Sequence, residues 1–251
     1  ASCSVVGAWG ESTGNGDLFQ LRSLDWDSKA PINKYPTVVV YHPSEEGSSN
    51  FANIGYAGLI GALTGYSQKG IGISEKVWIP PKEKHARITY FGKPWAFVLR
   101  DILQYGENID GIIDTLEDTH RTMRIHIGLG SKQDKSFRGI QYSYNYLEVF
   151  DDKNYIYDDA HPQMDGVMFF DKHTQPSDDN CIGQILKESY GKINPETMYR
   201  DITGKHKTGN AHWSVYDFQN DTVYFAFSDP NNNEDAYLRA PMKLDLKPFW
   251  K

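Results

Sequence analysis

The N-terminal half of this chain is rich in strand-like segments, others follow to the last hairpin, and helical spacing interrupts them in two blocks. Cys3–Trp9 and Leu18–Trp26 flank the turn Thr13-Gly14-Asn15-Gly16-Asp17, which predicts an opening hairpin. Thr37–His42, Phe51–Leu59 and Gly70–Trp78 are further predicted strands. Pro94–Tyr105 then places Phe97, Val98, Ile102 and Leu103 at helical spacing, and Asn108–His120 continues with Ile109, Ile112, Ile113 and Leu116. Strands return at Met123–Leu129, Gly139–Val149 and Gly166–Phe170. Ser177 is the predicted N-cap of a helix through Tyr190 that Gly191 stops, and Asn194-Pro195-Glu196 opens the next. Trp213–Phe218 and Thr222–Phe227 form a last hairpin across Gln219-Asn220-Asp221. Strands, a helix pair, strands, a helix pair and strands in this order predict an α+β fold, its antiparallel sheets covered by helix layers.

Composition narrows the class. The 251 residues are 39% hydrophobic and 24% charged, enough for a core and too apolar for global disorder. A net charge of −7, from 26 Lys and Arg against 33 Asp and Glu, argues against a nucleic-acid partner. Gly47–Gln68 is the longest uncharged stretch, but its five glycines, with Ser, Asn and Gln, leave it too polar for a membrane span; two strands and a turn are expected there. No signal peptide is visible, and a start at Ala1-Ser2-Cys3 without Met reads as processed or truncated. Asn220-Asp221-Thr222 is a glycosylation sequon, which leans toward a secreted or lysosome-like compartment and leaves the cytoplasm open.

Several motif matches fail on context. Gly10-Glu11-Ser12-Thr13-Gly14 fits the nucleophile-elbow pattern, but a strand follows where a helix is required. Asp229-Pro230-Asn231-Asn232-Asn233 starts like a calcium loop, but Glu234 replaces the required Gly and Ala240 the closing Glu; a surface loop is expected. Gly128-Leu129-Gly130 lacks the third Gly and the helix of a dinucleotide site. Eight scattered histidines without H-E-x-x-H or C-x-x-C give no metal site, and no cofactor is implied.

The two cysteines, Cys3 and Cys181, read as one buried and one surface thiol, or as a single bridge. Cys3 has two readings. It is a small buried hydrophobe, or, once the Ser2–Cys3 bond is cut, an N-terminal nucleophile with its own α-amine as general base. Arg22 and Asp25 lie on the partner strand. Their spacing of three sends them to opposite faces of a regular strand, so a bulge or a strand end is needed to aim both at one site. An Arg lowers a thiol pKa, and an Asp can hold the amine or steer the proton.

Cys3-Ser4-Val5-Val6-Gly7-Ala8-Trp9-Gly10, followed by Asp17–Trp26 with its Arg22-Ser23-Leu24-Asp25, resembles the opening of the cysteine N-terminal-nucleophile (Ntn) amidohydrolases. That family includes bile-salt hydrolases, penicillin V acylase, acid ceramidase, N-acylethanolamine acid amidase and isopenicillin N acyltransferases. Ala57–Glu75 is similar to the family's glycine-rich hairpin, with Ser67-Gln68 in place of Asn-Glu and Glu75 near an acidic residue that the ceramidase branch uses close to its nucleophile. Val167–His173 matches a strand that in the family ends in an oxyanion-hole Asn; here Asp171 stands at that place.

The resemblance implies one domain over residues 1–251, a four-layer αββα sandwich, and self-cleavage before Cys3. It implies Cys3, Arg22, Asp25 and Asp171 as catalytic residues, and Glu75, Tyr66 and Trp26 as substrate contacts, with a small-molecule or lipid-like amide as substrate. Arg22 and Asp25 are expected to converge on the Cys3 sulfur. Asp171 is expected either to be protonated, donating as an amide does, or to hold the Cys3 amine; backbone N–H groups or Asn180 are the other candidate donors. An acyltransferase, or a non-catalytic relative with an altered oxyanion hole, is the alternative. A papain-like protease is excluded, since C-G-[SA]-C-[WY] is absent. A homo-oligomer is left open.

Overall fold

The computed structural model describes residues 2–27, 29–157, 161–172 and 181–251. In chain order the elements are β1 (Ser2–Gly10), β2 (Gly16–Asp25), β3 (Pro36–Tyr41), β4 (Phe51–Tyr56), β5 (Thr64–Ser67), β6 (Ile71–Val77), α1 (Trp95–Tyr105) and α2 (Ile109–Asp118). They continue with β7 (Ile125–Ser131), β8 (Ser136–Tyr142), β9 (Leu147–Phe150), β10 (Val167–Phe170), α3 (Cys181–Glu188), α4 (Thr197–Lys205), β11 (His212–Asp217), β12 (Thr222–Phe227) and β13 (Met242–Asp245). One antiparallel sheet has the order β10-β1-β2-β11-β12-β13, and the other runs β3 to β9 in sequence order.

Alternation along each strand divides the core into three. Val5, Leu24, Tyr66, Phe137, Phe170 and Tyr216 fill the space between the sheets. Val6, Leu21, Phe169, Trp213 and Val215 point the other way and pack on Ile182 and Leu186 of α3 and on Met198 and Ile202 of α4. Ile71, Ile73, Ile127 and Leu129 pack on Val98, Leu99, Ile102, Ile112 and Leu116 of α1 and α2. The result is the α+β fold expected from the order of elements and the αββα sandwich that the resemblance implies, with side chains of the two inner faces interdigitating as period-two strands require.

Small residues let the sheets approach. A Cβ on Gly128 would lie 2.4 Å from Val5 Cγ1, and one on Gly130 would lie 2.4 Å from both Gln20 Oε1 and a Phe218 ring carbon. The Gly128-Leu129-Gly130 run is therefore a packing device between β7 and the opening hairpin. That hairpin turns through Gly10 (φ +59°) and Gly16 (φ +81°), with a register shift between Ala8 and Gly10. Ser12 of the elbow-like motif is buried and donates to Trp9 O (2.9 Å) and Gly166 O (2.8 Å), as a turn residue does.

Three boundaries differ from the sequence expectation. Gly139–Val149 is two strands, because the chain reverses where Ser143 N–H donates to Tyr146 O (2.7 Å). β4 stops at Tyr56, where a turn through Gly58 (φ +86°) begins. β13, which carries no alternation signal, forms by pairing with the edge of β12. Gly47–Gln68 does hold two strands and a turn, β4 and β5. Among the described residues no helix is long and apolar enough to cross a membrane. Ser177 and Asn180 lie outside the described residues.

Candidate active site

β1 and β2 pair Cys3 with Leu24, Val5 with Arg22 and Ser2 with Asp25. Directly opposed residues share a face, so Cys3 and Arg22 both point between the sheets. Cys3 is a free thiol, 1% exposed, in the inter-sheet core. Burial pushes its pKa up and nearby Glu75 adds to that, while Arg22, Lys76 and a hydrogen bond from the Asp25 backbone oppose it.

Arg22 is fully buried. It donates from Nε to Glu75 O (3.3 Å) and from Nη2 to Glu75 Oε2 (3.4 Å), tying β2 to β6 across the sandwich. Burial pushes the Glu75 carboxyl up, and Arg22 and Lys76 pull against it. Glu75 lines the same cavity as Cys3 and is paired there with Arg22.

Asp25 departs from the expected convergence. No bulge interrupts residues 22–25, and strand parity turns the Asp25 carboxylate to the opposite face. There it accepts from Gly209 N–H (2.9 Å), Asn210 N–H (3.2 Å) and Thr208 Oγ1 (3.1 Å), with Lys172 Nζ 3.7 Å away. Thr208 Oγ1 also meets Ser4 Oγ (2.9 Å) and Ser23 Oγ (2.7 Å), which lie on that same face. Of Asp25, it is the backbone and not the carboxylate that pulls the Cys3 thiol down.

Asp171 follows the last residue of β10 and is fully buried. His161 Nε2 lies 3.1 Å from one carboxylate oxygen and His206 Nε2 3.0 Å from the other, and Lys172 N–H donates at 2.5 Å. Burial alone would raise its pKa, but His206, the Lys172 amide and His161 together hold it below the ordinary carboxylate range. These partners favour the ionised carboxylate over the protonated, amide-like donor that was one of the two expectations. Both of its oxygens are occupied by imidazoles.

The remaining expected contacts separate. Trp26 lines a cavity of about 400 Å³ together with Cys3, Glu75, Leu24, Ile32, Leu63, Val77, Trp95, Met123 and Ile125. Its size lies in the range of ligand pockets, and its walls are apolar apart from Cys3, Glu75 and Arg124. Tyr66 is absent from that lining. It is buried among Tyr216 and Phe218, and its hydroxyl donates to Asp221 Oδ1 (2.9 Å) near the β11–β12 turn, so it is a core residue. Asn220 sits in that exposed turn with its amide donated to Asp217 Oδ2 (2.8 Å).

No protein-family model matches the chain. Two curated Dictyostelium discoideum proteins are similar in sequence: Protein dcd1B, 39% identical over 96% of this chain and 49% of its own length, and Protein dcd1A, 35% identical over 100% and 60%. The chain thus spans about half the length of the curated relatives it matches. Among solved structures it is similar to a Caenorhabditis elegans N-acylethanolamine-hydrolyzing acid amidase ortholog, with a TM-score of 0.64, 16% identity, and coverage of 96% of this chain and 100% of that one. It is also similar to Agrobacterium tumefaciens penicillin V acylase (TM-score 0.58, 12% identity, 97% and 92%) and to a variant of Clostridium perfringens conjugated bile acid hydrolase (0.58, 11%, 97% and 93%). All three are cysteine Ntn hydrolases.

The chain has the Ntn-hydrolase fold. Its first strand carries Cys3 beside Arg22 and Glu75 at the wall of an apolar cavity. Sequence reasoning missed four residues that this fold gathers around β1: Lys76, Thr208, His161 and His206. His161 and His206 lie 45 residues apart and belong to no spacing motif; only the return of β10 beside β1 brings Asp171 between them. Lys76 had one legible signal: with Glu75 it is one of two charges in a strand that is otherwise apolar or small.

Proposed function

We propose that this chain hydrolyses a linear N-acyl amide with an apolar acyl group, using Cys3 as nucleophile. The observation that carries the reading is the position of the Cys3 thiol in the wall of the apolar cavity, beside the Arg22–Glu75 pair. Activation begins with attack of the Cys3 sulfur on the Ser2 carbonyl carbon. The Ser2–Cys3 amide breaks as the acyl group moves from N to S, and water then cleaves the thioester, leaving a free Cys3 α-amine and an upstream carboxylate. In turnover the α-amine takes the thiol proton, the sulfur attacks the substrate carbonyl, and the amine of the substrate departs with a proton. Water adds to the acyl-thioester and releases the acid.

Arg22 keeps positive charge beside the sulfur. In this reading the Asp25 carboxylate holds the α-amine, which the pairing of Asp25 with Ser2 across the strands supports. The oxyanion donors are backbone N–H groups or amides other than Asp171. Removal of such a donor typically costs about 10²–10³ in rate.

The test is release of free acid from N-acyl amides graded from acetyl to palmitoyl, with the chain start read by mass spectrometry. Processed protein beginning at Cys3 is expected to be active on the longer acyl groups, and Cys3→Ala to lose both processing and turnover. Full activity in Cys3→Ala overturns the reading. Acyl transfer to an added amine in preference to water would make the chain an acyltransferase.

A further inference from the structure

Lys76 is a charged residue buried between two sheets. On β6, Ile71 and Ile73 face the helices, whereas Gly72 and Ser74 face the opening hairpin: Gln20 Nε2 donates to Ser74 Oγ at 2.7 Å. Two residues beyond Ser74 is Lys76, 3% exposed, with Nζ donating to Val77 O (3.1 Å). Its cross-strand neighbour on β7 is His126.

The registers of the two sheets relate Cys3 to Lys76. Gln20 meets Ser74, and Arg22, two residues on, meets Glu75. Val5, the partner of Arg22, packs on Gly128, the partner of Ser74. Continued by one step, these registers carry Cys3 on β1 toward Lys76 on β6, whose chain neighbour Glu75 lines the same cavity as Cys3. Phe170, paired with Val5, stacks on the His126 ring at 3.9 Å, so the face of β7 beside Lys76 also meets the β10–β1 edge of the first sheet.

We propose that Lys76 is a positioning residue for the Cys3 sulfur: its ammonium is the counter-charge that sets how readily the thiol ionises. The inference rests on the reading of Cys3 as nucleophile. The ionisable groups around the sulfur come from every neighbouring element: Arg22 on β2, Glu75 and Lys76 on β6, His126 on β7, His212 on β11 and Tyr56 on β4, with Asp25, Asp171 and Lys172 on the helix side of the sheet. Burial, with nearby cations, holds the His126 and His212 imidazoles neutral, and burial pushes Tyr56 up to about 12, against the pull of Arg22. Among the described residues, the charges between the sheets near the sulfur are then Arg22, Glu75 and Lys76. Arg22 is already engaged with Glu75, and Lys76 adds a second cation. Burial favours the neutral amine of Lys76, and the negative groups Cys3, Glu75, Asp171 and Asp25 favour its charged form, so sulfur and ammonium stabilise each other.

The experiment is the pH dependence of Cys3 alkylation by iodoacetamide, with the Cys3 and Cys181 peptides quantified separately by mass spectrometry. Lys76→Met and Lys76→Gln are expected to shift the Cys3 profile toward higher pH by about one unit, roughly tenfold slower labelling at neutral pH, with Cys181 unchanged. Lys76→Arg is expected to retain the wild-type profile. A folded neutral variant with the wild-type profile overturns the proposal, and so does Lys76→Arg behaving as Lys76→Met. In the unsubstituted protein, the Lys76 side-chain NMR signal is expected to move as Cys3 ionises, and a signal that does not move also overturns it. Thiol labelling does not depend on turnover, so activity surviving in Cys3→Ala would remove the nucleophile reading while leaving this electrostatic pairing intact.

Discussion

Asp171 shows how a single residue type can be legible while its partners are not. The sequence marks it as a carboxylate where an amide is expected, but not that two imidazoles and a backbone N–H converge on it. Those partners lie 10 and 35 residues away, and no spacing rule links them. Cys3, Arg22 and Asp25 were legible because they share one hairpin, where strand parity fixes which face each takes; the same parity explains why the Asp25 carboxylate turns away from the sulfur. Replacement of Asp171 by Asn is expected to destabilise the fold by about 1.5–3 kcal/mol at neutral pH, the range for buried hydrogen bonds to a charged group. The sign with pH follows from its lowered pKa. The stabilisation is fully present above the unfolded-chain value of about 3.9 and is lost as pH falls through the lower folded value. Thermal melts of wild type and Asp171→Asn from neutral to strongly acidic pH should therefore converge at the acid end. A gap independent of pH would show that the carboxylate is not held ionised.

At the scale of elements, most of the architecture could be read before any coordinates, because alternation of period two and spacing near 3.6 are strong over long segments. The opening hairpin, α1, α2, β10 and the β11–β12 hairpin fall where they were expected. The misreadings have local causes. Gly139–Val149 alternates aliphatic or aromatic with polar residues straight through the turn (Ile140, Gln141, Tyr142, Ser143, Tyr144, Asn145, Tyr146), so the period-two pattern does not mark the reversal that the Ser143–Tyr146 hydrogen bond makes. The edge strand β13 is mostly exposed and needs only backbone pairing, which leaves no apolar signature. Glycines in strands were legible as unusual, but not their purpose, which depends on the facing sheet. Gly128 tests that purpose. An added methyl would lie 2.4 Å from Val5 Cγ1 and 2.9 Å from a Phe137 ring carbon, both held in the inter-sheet core. Gly128→Ala is expected to cost about 1–3 kcal/mol through overpacking. Because Val5 is the strand neighbour two residues from Cys3, the variant should also slow Cys3 alkylation without changing its pH dependence. Unchanged stability in denaturant melts would mean that the sheets are not in contact there.

For the whole molecule, the αββα arrangement matters because it places the strand that carries Cys3 at the wall of a space that neither sheet encloses alone. The cavity draws Cys3 and Leu24 from the first sheet, Glu75, Val77 and Ile125 from the second, Trp95 from α1, and Trp26, Ile32 and Leu63 from connecting segments. Such a site has no sequence signature, since its lining is dispersed between positions 3 and 125 and looks like ordinary core. Its apolar walls should bind an acyl chain by area alone, at about 0.8 kcal/mol per buried methylene, and the Cys3 end fixes where the carbonyl must lie. Leu63 is a partly exposed wall residue on the connection before β5, so a larger side chain there can narrow the cavity without entering the inter-sheet core. Leu63→Trp is expected to leave kcat/KM for a short acyl amide within about twofold of wild type. For a long-chain amide it should lower kcat/KM by about tenfold for every two methylenes displaced, the factor that 0.8 kcal/mol apiece implies. The measurement is kcat/KM across a graded acyl series for both proteins, with equal Cys3 labelling as the control that the nucleophile is undisturbed. If short and long substrates fall together, the acyl chain does not occupy this cavity. If the preference moves toward shorter chains, the wall at Leu63 sets the length that the site accepts.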